Sequence, residues 1–304
     1  MHAFVTGASG WIGSAVVPDL LAAGHQVTGL ARSDASAAAL EAAGAAVVRG
    51  DLASLDVLRS AAGASDGVIH LAFHHEVAFA GDFATAVDTD RQAVDVFGEA
   101  LAGSDRPLVI ASGLLGLKPG GVATESDGHD GAAGMGGPAG RHATAEVVLG
   151  FADRGVRSSI VRLSPSVHGE GDTGFVPRLI DIARATGTAA YVGDGAARWP
   201  GVHRSDAARL FRLAFEQAPA GSTLHGVGDE GVAMRDLAEV FARHLGVPTA
   251  SIAPEDAGAH FTWLAPMVGL DSPASNRATR ELLGWEPTGP GLLADLDDGH
   301  YFTR

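Results

Sequence analysis

Three glycines near the start of the chain are spaced so that a phosphate group could approach the backbone. Gly7, Gly10 and Gly13 follow directly after the apolar run Ala3-Phe4-Val5. The first glycine allows a sharp turn from strand to helix, and the second leaves room for a pyrophosphate beside the helix N-terminal amides. A purely structural turn is the alternative, but the order of strand, turn and amphipathic helix favours a dinucleotide site. We expect cofactor contacts from Gly7, Ser9, Gly10, Trp11, Ile12 and Gly13.

The end of the second predicted strand indicates which dinucleotide binds. About twenty residues after the glycines, an acidic residue would hold the adenosine ribose of NAD. The sequence there reads Leu30-Ala31-Arg32-Ser33 and has no carboxylate. Arg32 can hold a ribose 2′-phosphate through charge-assisted hydrogen bonds, with Ser33 as a further donor. This segment therefore predicts NADP(H). Two alternatives stay open: a solvated Arg32 that opens the next helix, and an NAD-type role for Asp34.

These residues need a parallel sheet to position them, and the pattern of the chain predicts one. Short apolar runs alternate with helical segments up to about Leu163, which is typical of strands buried on both faces. Such a sheet binds its ligand at the carboxyl ends of the strands. We predict an α/β fold with a Rossmann-type doubly wound parallel sheet and a small mixed C-terminal substrate cap. Residues 1–163 would form the core, and residues 164–304 mainly the cap, with some elements returning to the core.

Composition and charge exclude several classes of function. The formal net charge is −15, which argues against binding to nucleic acid or to an anionic membrane surface. No apolar stretch is long enough to span a membrane, and Met1-His2 leads straight into a predicted strand rather than a signal peptide. Cysteine is absent, which excludes disulfides and agrees with a reducing compartment. We expect a cytoplasmic protein with a small-molecule substrate.

Several further motifs resemble the extended and atypical short-chain dehydrogenase/reductases, the group that contains the NAD(P)-dependent epimerase/dehydratases. The similarity extends over essentially the whole chain. Besides the glycine turn, it rests on Gly50-Asp51-Leu52, Val68-Ile69-His70-Leu71-Ala72 and residues 161–169, 199–208 and 283–287.

The resemblance implies roles for residues at the strand ends. Asp51 and Leu52 would flank the adenine, and Leu71, Ala72 and Phe73 would line the cofactor cleft. Pro165, Ser166 and Val167 would meet the nicotinamide carboxamide and ribose. Ser112, at the end of the fifth strand, matches the catalytic serine. The residues placed around the substrate would be His168, Tyr191, Trp199 and His203.

The Tyr-x-x-x-Lys pair typical of this family is missing. The matching stretch places His142 and Glu146 at those positions. Spaced i, i+4, they share one helix face. Histidine is a competent acid or base near neutral pH, and a carboxylate can accept ribose hydrogen bonds but cannot replace a cation. The alternative is an ordinary surface pair. We name Ser112, His142 and Glu146 as the catalytic candidates.

Two further segments allow more than one interpretation. The run His70…His74-His75-Glu76 contains metal-ligating side chains, but no second dense ligand cluster accompanies it, so we expect no metal. The glycine-rich residues 128–138 would be a mobile lid or a plain flexible connection. We predict a homodimer, because the helices with Val94 and Val148 have apolar residues to spare. The alternative is that these residues pack inward against the sheet.

We therefore expect an NADPH-dependent oxidoreductase that reduces a C=O or C=N (imine) bond of a small organic molecule with a proton source other than tyrosine. A nucleotide-sugar epimerase or dehydratase is an alternative, but that chemistry needs a base to oxidise an alcohol. A non-catalytic NADP(H)-binding sensor is the other alternative.

Overall fold

The computed structural model describes residues 1–128 and 138–303. Its strands, in chain order, are β1 (His2–Thr6), β2 (Gln26–Ala31), β3 (Ala46–Arg49), β4 (Gly67–His70), β5 (Pro107–Gly113), β6 (Arg157–Leu163), β7 (Ser166–His168), β8 (Ala189–Val192), β9 (Arg198–His203), β10 (Ser222–Gly226), β11 (Asp229–Ala233) and β12 (Thr249–Ile252). The helices are α1 (Gly13–Ala22), α2 (Asp34–Ala42), α3 (Leu55–Gly63), α4 (His75–Phe79), α5 (Phe83–Leu101), α6 (Pro138–Gly150), α7 (Phe175–Thr186), α8 (Arg204–Gln217), α9 (Met234–Leu245), α10 (Ala257–Phe261), α11 (Ala265–Val268), α12 (Arg277–Leu283) and α13 (Leu292–Asp297).

The central sheet has seven parallel strands in the order β10-β6-β5-β4-β1-β2-β3. Val5 on β1 lies opposite Gly29 on β2 and Ile69 on β4. The strand order reverses beside β1, so the loops after β1 and β4 face a common crevice at the carboxyl edge. The predicted Rossmann-type sheet is confirmed.

Helices cover both faces of this sheet, which explains the continuous apolar runs in its strands. One face packs against α1, α2 and α8, with Leu20 and Phe211 fully buried. The other packs against α3, α5 and α6, where Val94, Phe97 and Val148 are also fully buried. The apolar residues that suggested a dimer interface on these last helices thus belong largely to the core, and the homodimer stays a prediction.

The C-terminal half divides between the core and a cap. Helix α8 and strand β10 return to the central sheet. The cap contains a three-stranded sheet (β11-β9-β7) and a two-stranded sheet (β12-β8), and its own apolar core includes Trp199, Leu237 and Phe241. The predicted small mixed cap is confirmed. Among the described residues, no helix is both long and apolar enough to span a membrane.

Candidate active site

A cleft of about 710 Å³ lies at the carboxyl edge of the central sheet. Four segments of the core and two stretches on the cap side form its walls. The core contributes Gly7, Ser9, Gly10, Trp11, Ile12, Gly13, Leu30, Arg32, Ser36, Gly50, Asp51, Leu52, Leu71, Ala72, Phe73, His74, His75 and Glu76, and the cap side contributes Pro165, Thr173, Gly174 and Phe175.

The glycine turn between β1 and α1 has no room for side chains at its key positions. Gly7 has a φ of +65°, and a Cβ there would lie 2.7 Å from the Ala72 backbone nitrogen. A Cβ at Gly13 would lie 2.1 Å from the Gly7 carbonyl oxygen. The Gly10 amide donates to this same carbonyl at 2.9 Å. The backbone of the turn is thus not covered by side chains beside the N-terminus of α1, and this arrangement fits a pyrophosphate.

Trp11 joins the glycine turn to strand β7. Its indole Nε1 donates to the Val167 carbonyl at 2.8 Å, and the Arg204 guanidinium lies 4.3 Å from the ring centroid. Pro165 lines the cleft, whereas Ser166 and Val167 are not among its lining residues. Val167 therefore reaches the cleft wall through its backbone contact with Trp11.

The adenosine end of the cleft contains Arg32 and Ser36. Ser33 lies outside the lining and caps α2, because its Oγ accepts a hydrogen bond from the Ser36 amide at 3.1 Å. Asp34 is paired with Arg49 at 2.7 Å and does not line the cleft. Arg32 donates to the Glu76 carboxylate at 2.9 Å. A cation, a hydroxyl and a helix N-terminus thus lie together where the second strand ends.

Asp51 and Leu52 line the cleft beside this end. The Asp51 carboxylate accepts hydrogen bonds from Ser54 Oγ at 2.8 Å and the Ala53 amide at 3.1 Å. The Ser54 hydrogen bond holds the pKa of Asp51 below its usual value, against an opposing effect of burial. Asp51 is therefore an anion with a fixed orientation.

A buried polar chain supports the strand ends beneath the glycine turn. The Thr6 hydroxyl lies 2.7 Å from His70 Nδ1, and His70 Nε2 lies 3.1 Å from the Asp90 carboxylate. The Ala72 amide donates to Thr6 Oγ1 at 3.3 Å. His70 thus holds strands β1 and β4 in register below the cleft. Within the described part of the chain, no three His, Asp or Glu side chains converge as metal ligands would.

The catalytic candidates lie outside the cleft lining. Ser112, the next-to-last residue of β5, is 5% exposed and lies opposite Arg162 on β6. His142 on α6 is 6% exposed, whereas Glu146, one turn later, is exposed. The i, i+4 spacing therefore does not give the two side chains equal access to solvent. Their catalytic roles remain predictions.

Arg141 is a charged residue of this region that the sequence patterns did not single out. Its guanidinium lies 4.4 Å from the centroid of the Phe73 ring, which lines the cleft. Its Nη2 donates at 3.2 Å to the carbonyl of Ala111, the residue that precedes Ser112. Burial lowers the pKa of Arg141, and the nearby Asp90 carboxylate opposes that effect. Arg141 immediately precedes His142. It therefore places a cation in this region, although the lysine of the Tyr-x-x-x-Lys pair is missing.

None of the four residues expected around the substrate is part of the cleft lining. His168 is fully buried, and its Nδ1 lies 2.8 Å from the Asp295 carboxylate. The His203 ring packs edge-on against His168 and bonds to Ser205 Oγ at 2.7 Å. Trp199 is fully buried in the cap core, and Tyr191 is partly buried against that core. If these four residues influence the substrate, they do so through neighbouring residues that line the cleft.

The cap wall is formed instead by Pro165, within the family-like segment 161–169, and by Thr173, Gly174 and Phe175, which come shortly after it. Phe175 begins α7, and its ring contacts those of Trp199 and Trp263 at centroid distances of 5.9 and 6.1 Å. Asp172 fixes the loop before it by accepting from the Gly174 amide at 2.6 Å. The sequence signal that could have identified Thr173, Gly174 and Phe175 is their position shortly after segment 161–169. The lid or flexible connection expected at residues 128–138 lies, apart from its ends, outside the described residues.

Comparisons with known proteins agree with this geometry. The model of the NAD dependent epimerase/dehydratase family matches residues 3–110. An uncharacterized protein of Saccharomyces cerevisiae is 45% identical over 97% of this chain and 98% of its own length. A 4-hydroxy-2-methyl-3-oxo-4-farnesyl-3,4-dihydroquinoline-1-oxide ketoreductase of Stigmatella aurantiaca is 26% identical over 81% of this chain and 74% of its own length.

A solved structure shows the same fold. The dTDP-glucose 4,6-dehydratase of Streptomyces venezuelae, solved with NAD bound, superposes with a TM-score of 0.75 at 22% sequence identity. The superposition covers 97% of this chain and 96% of the dehydratase.

Proposed function

Because the chain belongs to the NAD-dependent epimerase/dehydratase family, we propose that it is an NADP(H)-dependent oxidoreductase that reduces a C=O or C=N bond of a small organic molecule. The family and the named relatives support an enzyme of the short-chain dehydrogenase/reductase type. The residues in and beside the cleft support NADP(H) and reduction.

The observation that carries the cofactor proposal is the arrangement at the adenosine end. Arg32 and Ser36 line the cleft there, next to the N-terminus of α2. A 2′-phosphate would receive charge-assisted hydrogen bonds from the guanidinium and benefit from the helix dipole. Asp34, the acid considered for an NAD-type role, is paired with Arg49. These features support NADP(H) over NAD(H).

The cap side of the cleft favours reduction of an uncharged substrate over nucleotide-sugar chemistry. Pro165, Thr173, Gly174 and Phe175 carry no charge, and Arg32 is the one arginine or lysine among the described lining residues. Among the described lining residues of this side, the diphosphate of a nucleotide sugar would meet no cationic side chain and would depend on the backbone amides at the N-terminus of α7. The ketoreductase relative also supports carbonyl reduction.

Arg141 favours C=O over C=N within this proposal. The glycine turn and Arg32 would hold NADPH, which would supply a hydride to the carbonyl carbon and leave negative charge on the oxygen until that oxygen is protonated. Arg141 is outside the cleft lining, but its guanidinium, packed beside Ala111 and Phe73, would stabilise negative charge at the end of β5 and repel an iminium cation. His142 and Ser112 remain the candidate proton sources. Because neither lines the cleft, a proton from either would pass through a water or a neighbouring group.

Cofactor titration and a substrate screen test the proposal. NADPH should bind more tightly than NADH, and Arg32→Ala should weaken NADPH binding roughly tenfold to a hundredfold, as expected for losing charge-assisted bonds of about 1.5–3 kcal/mol. Equal affinities of the wild-type protein for both cofactors would contradict the NADP(H) assignment. The screen follows NADPH oxidation with ketones, imines and UDP-sugars. Binding of NADPH without turnover of any carbonyl or imine would instead favour the sensor.

A further inference from the structure

We infer that Glu76 sets the balance between NADP(H) and NAD(H) by competing with the 2′-phosphate for Arg32. This rests on the proposed NADP(H)-dependent function. It assigns to Glu76 a role in specificity rather than in the reaction itself.

Arg32 and Glu76 come from opposite sides of the adenosine end. Arg32 directly follows β2, and Glu76 is the second residue of α4. Both side chains line the cleft, together with Ser36. Arg32 Nη2 donates to Glu76 Oε1 at 2.9 Å, so the ion pair bridges the cleft at the point where a ribose 2′-substituent would lie.

The pair is accessible and easily exchanged. The Arg32 side chain is 60% exposed and the Glu76 side chain 79% exposed. Exposed ion pairs of this kind are weak, because water screens them and both side chains lose rotamer freedom. A phosphate offers three oxygens and up to two negative charges. It can therefore accept more hydrogen bonds from the Arg32 guanidinium than the single one that Glu76 accepts. A 2′-phosphate should therefore displace Glu76 from Arg32.

Displacement has a cost that depends on the cofactor. With NADP(H), the Glu76 carboxylate loses its partner and remains near a dianionic phosphate, which it repels. With NAD(H), no phosphate is present and the ion pair can persist beside the ribose hydroxyls. Among the charged groups nearby, Asp34 is held by Arg49, whereas Arg32 lowers the pKa of Glu76, with a smaller contribution from His74. Glu76 thus penalises NADP(H) and leaves NAD(H) nearly unaffected.

Fragments of the cofactors test this without requiring turnover. Affinities of 2′,5′-ADP and 5′-ADP are measured by calorimetry for the wild-type protein, Glu76→Gln, Arg32→Ala and the double variant. Glu76→Gln should bind 2′,5′-ADP roughly three- to tenfold more tightly at low salt, and 5′-ADP within about twofold of the wild type. The gain should shrink in the Arg32→Ala background and at high ionic strength. Glu41→Gln, which removes an exposed charge from α2 outside the cleft, serves as the matched control.

The outcomes separate this inference from the proposed function. Unchanged or weaker binding of 2′,5′-ADP to Glu76→Gln would overturn the role of Glu76, even if the wild-type protein prefers 2′,5′-ADP. A wild-type preference for 5′-ADP that Glu76→Gln shifts towards 2′,5′-ADP would support Glu76 while counting against NADP(H) as the main cofactor. Because Glu76 is exposed, thermal unfolding of Glu76→Gln should match that of the wild type.

Discussion

Replacing Gly13 with alanine should abolish tight cofactor binding, because the added methyl group has no space in the turn. Its Cβ would lie 2.1 Å from the Gly7 carbonyl oxygen and 2.7 Å from Ala8 Cα. Ordinary contacts between such atoms are about 3.5 Å, so the backbone of the turn would have to move by about 1 Å. Both neighbours are backbone atoms, so no side-chain rotation can relieve the contact.

The size of the effect follows from what this shift disrupts. Overpacking against rigid neighbours costs about 1–3 kcal/mol in the free energy of unfolding. The pyrophosphate would in addition lose well-aligned amide donors. The loss of two hydrogen bonds to a charged group, at about 1.5 kcal/mol each, weakens binding roughly a hundredfold.

NADPH titration by calorimetry and thermal unfolding together measure the two effects. Gly63→Ala is the matched control, because Gly63 ends α3 and a Cβ added there would have no neighbouring atom within 4 Å. That substitution should leave NADPH affinity unchanged and stabilise the fold by about 0.5–1 kcal/mol. Wild-type NADPH affinity in a folded Gly13→Ala variant would refute the assignment of the turn as the pyrophosphate site.

Three further predictions concern polar groups that lie outside the cleft lining. His142→Ala should lower turnover at least about a hundredfold if His142 is the general acid, with NADPH affinity little changed; full activity in steady-state assays would move the role to Ser112 or solvent. Arg141→Gln should lower kcat for ketones at least about tenfold, since it removes a charge that stabilises the developing alkoxide; an equal loss for ketones and preformed iminium ions would contradict that role. Hydrogen bonds from Thr124 and the charge of Lys118 lower the pKa of Asp127 to about 2. The Asp127 carboxylate therefore stabilises the fold fully above about pH 4. This contribution is lost as the pH falls through about 2. Asp127→Asn should thus cost about 1 kcal/mol at pH 7, allowing for its partial exposure, and urea unfolding should show the difference disappearing near pH 2.

The sequence predicted the fold and placed the glycine turn and the strand ends at one edge of the sheet, because both depend on local patterns. Apolar runs such as Val68-Ile69 mark strands buried on two faces. Gly13 has no space for a Cβ because of contacts with Gly7 and Ala8, which lie within the same seven-residue turn. Parallel topology then brings the strand ends to one edge. Lining residues such as Gly7, Arg32 and Ala72 could therefore be named in advance, whereas Ser36 was not named and the predicted Ser33 lies outside the lining.

Other parts of the site depend on contacts between distant segments, which no local pattern encodes. Arg32 meets Glu76 over a separation of 44 residues, and Thr6 meets His70 over 64. Arg141 was not recognised because its importance comes from folding onto Phe73 and Ala111. His168 matches a family segment, yet Asp295, 127 residues away, holds its ring in a buried position.

Isotope transfer tests most directly whether the protein transfers hydride from NADPH to a carbonyl carbon. Purified protein is incubated with stereospecifically C4-deuterated NADPH and a panel of uncharged ketones, and the products are analysed by mass spectrometry and NMR. We predict deuterium on the carbinol carbon of at least one product, delivered from one face of the nicotinamide only. Tight binding of NADPH with no deuterium in any product would contradict such a transfer.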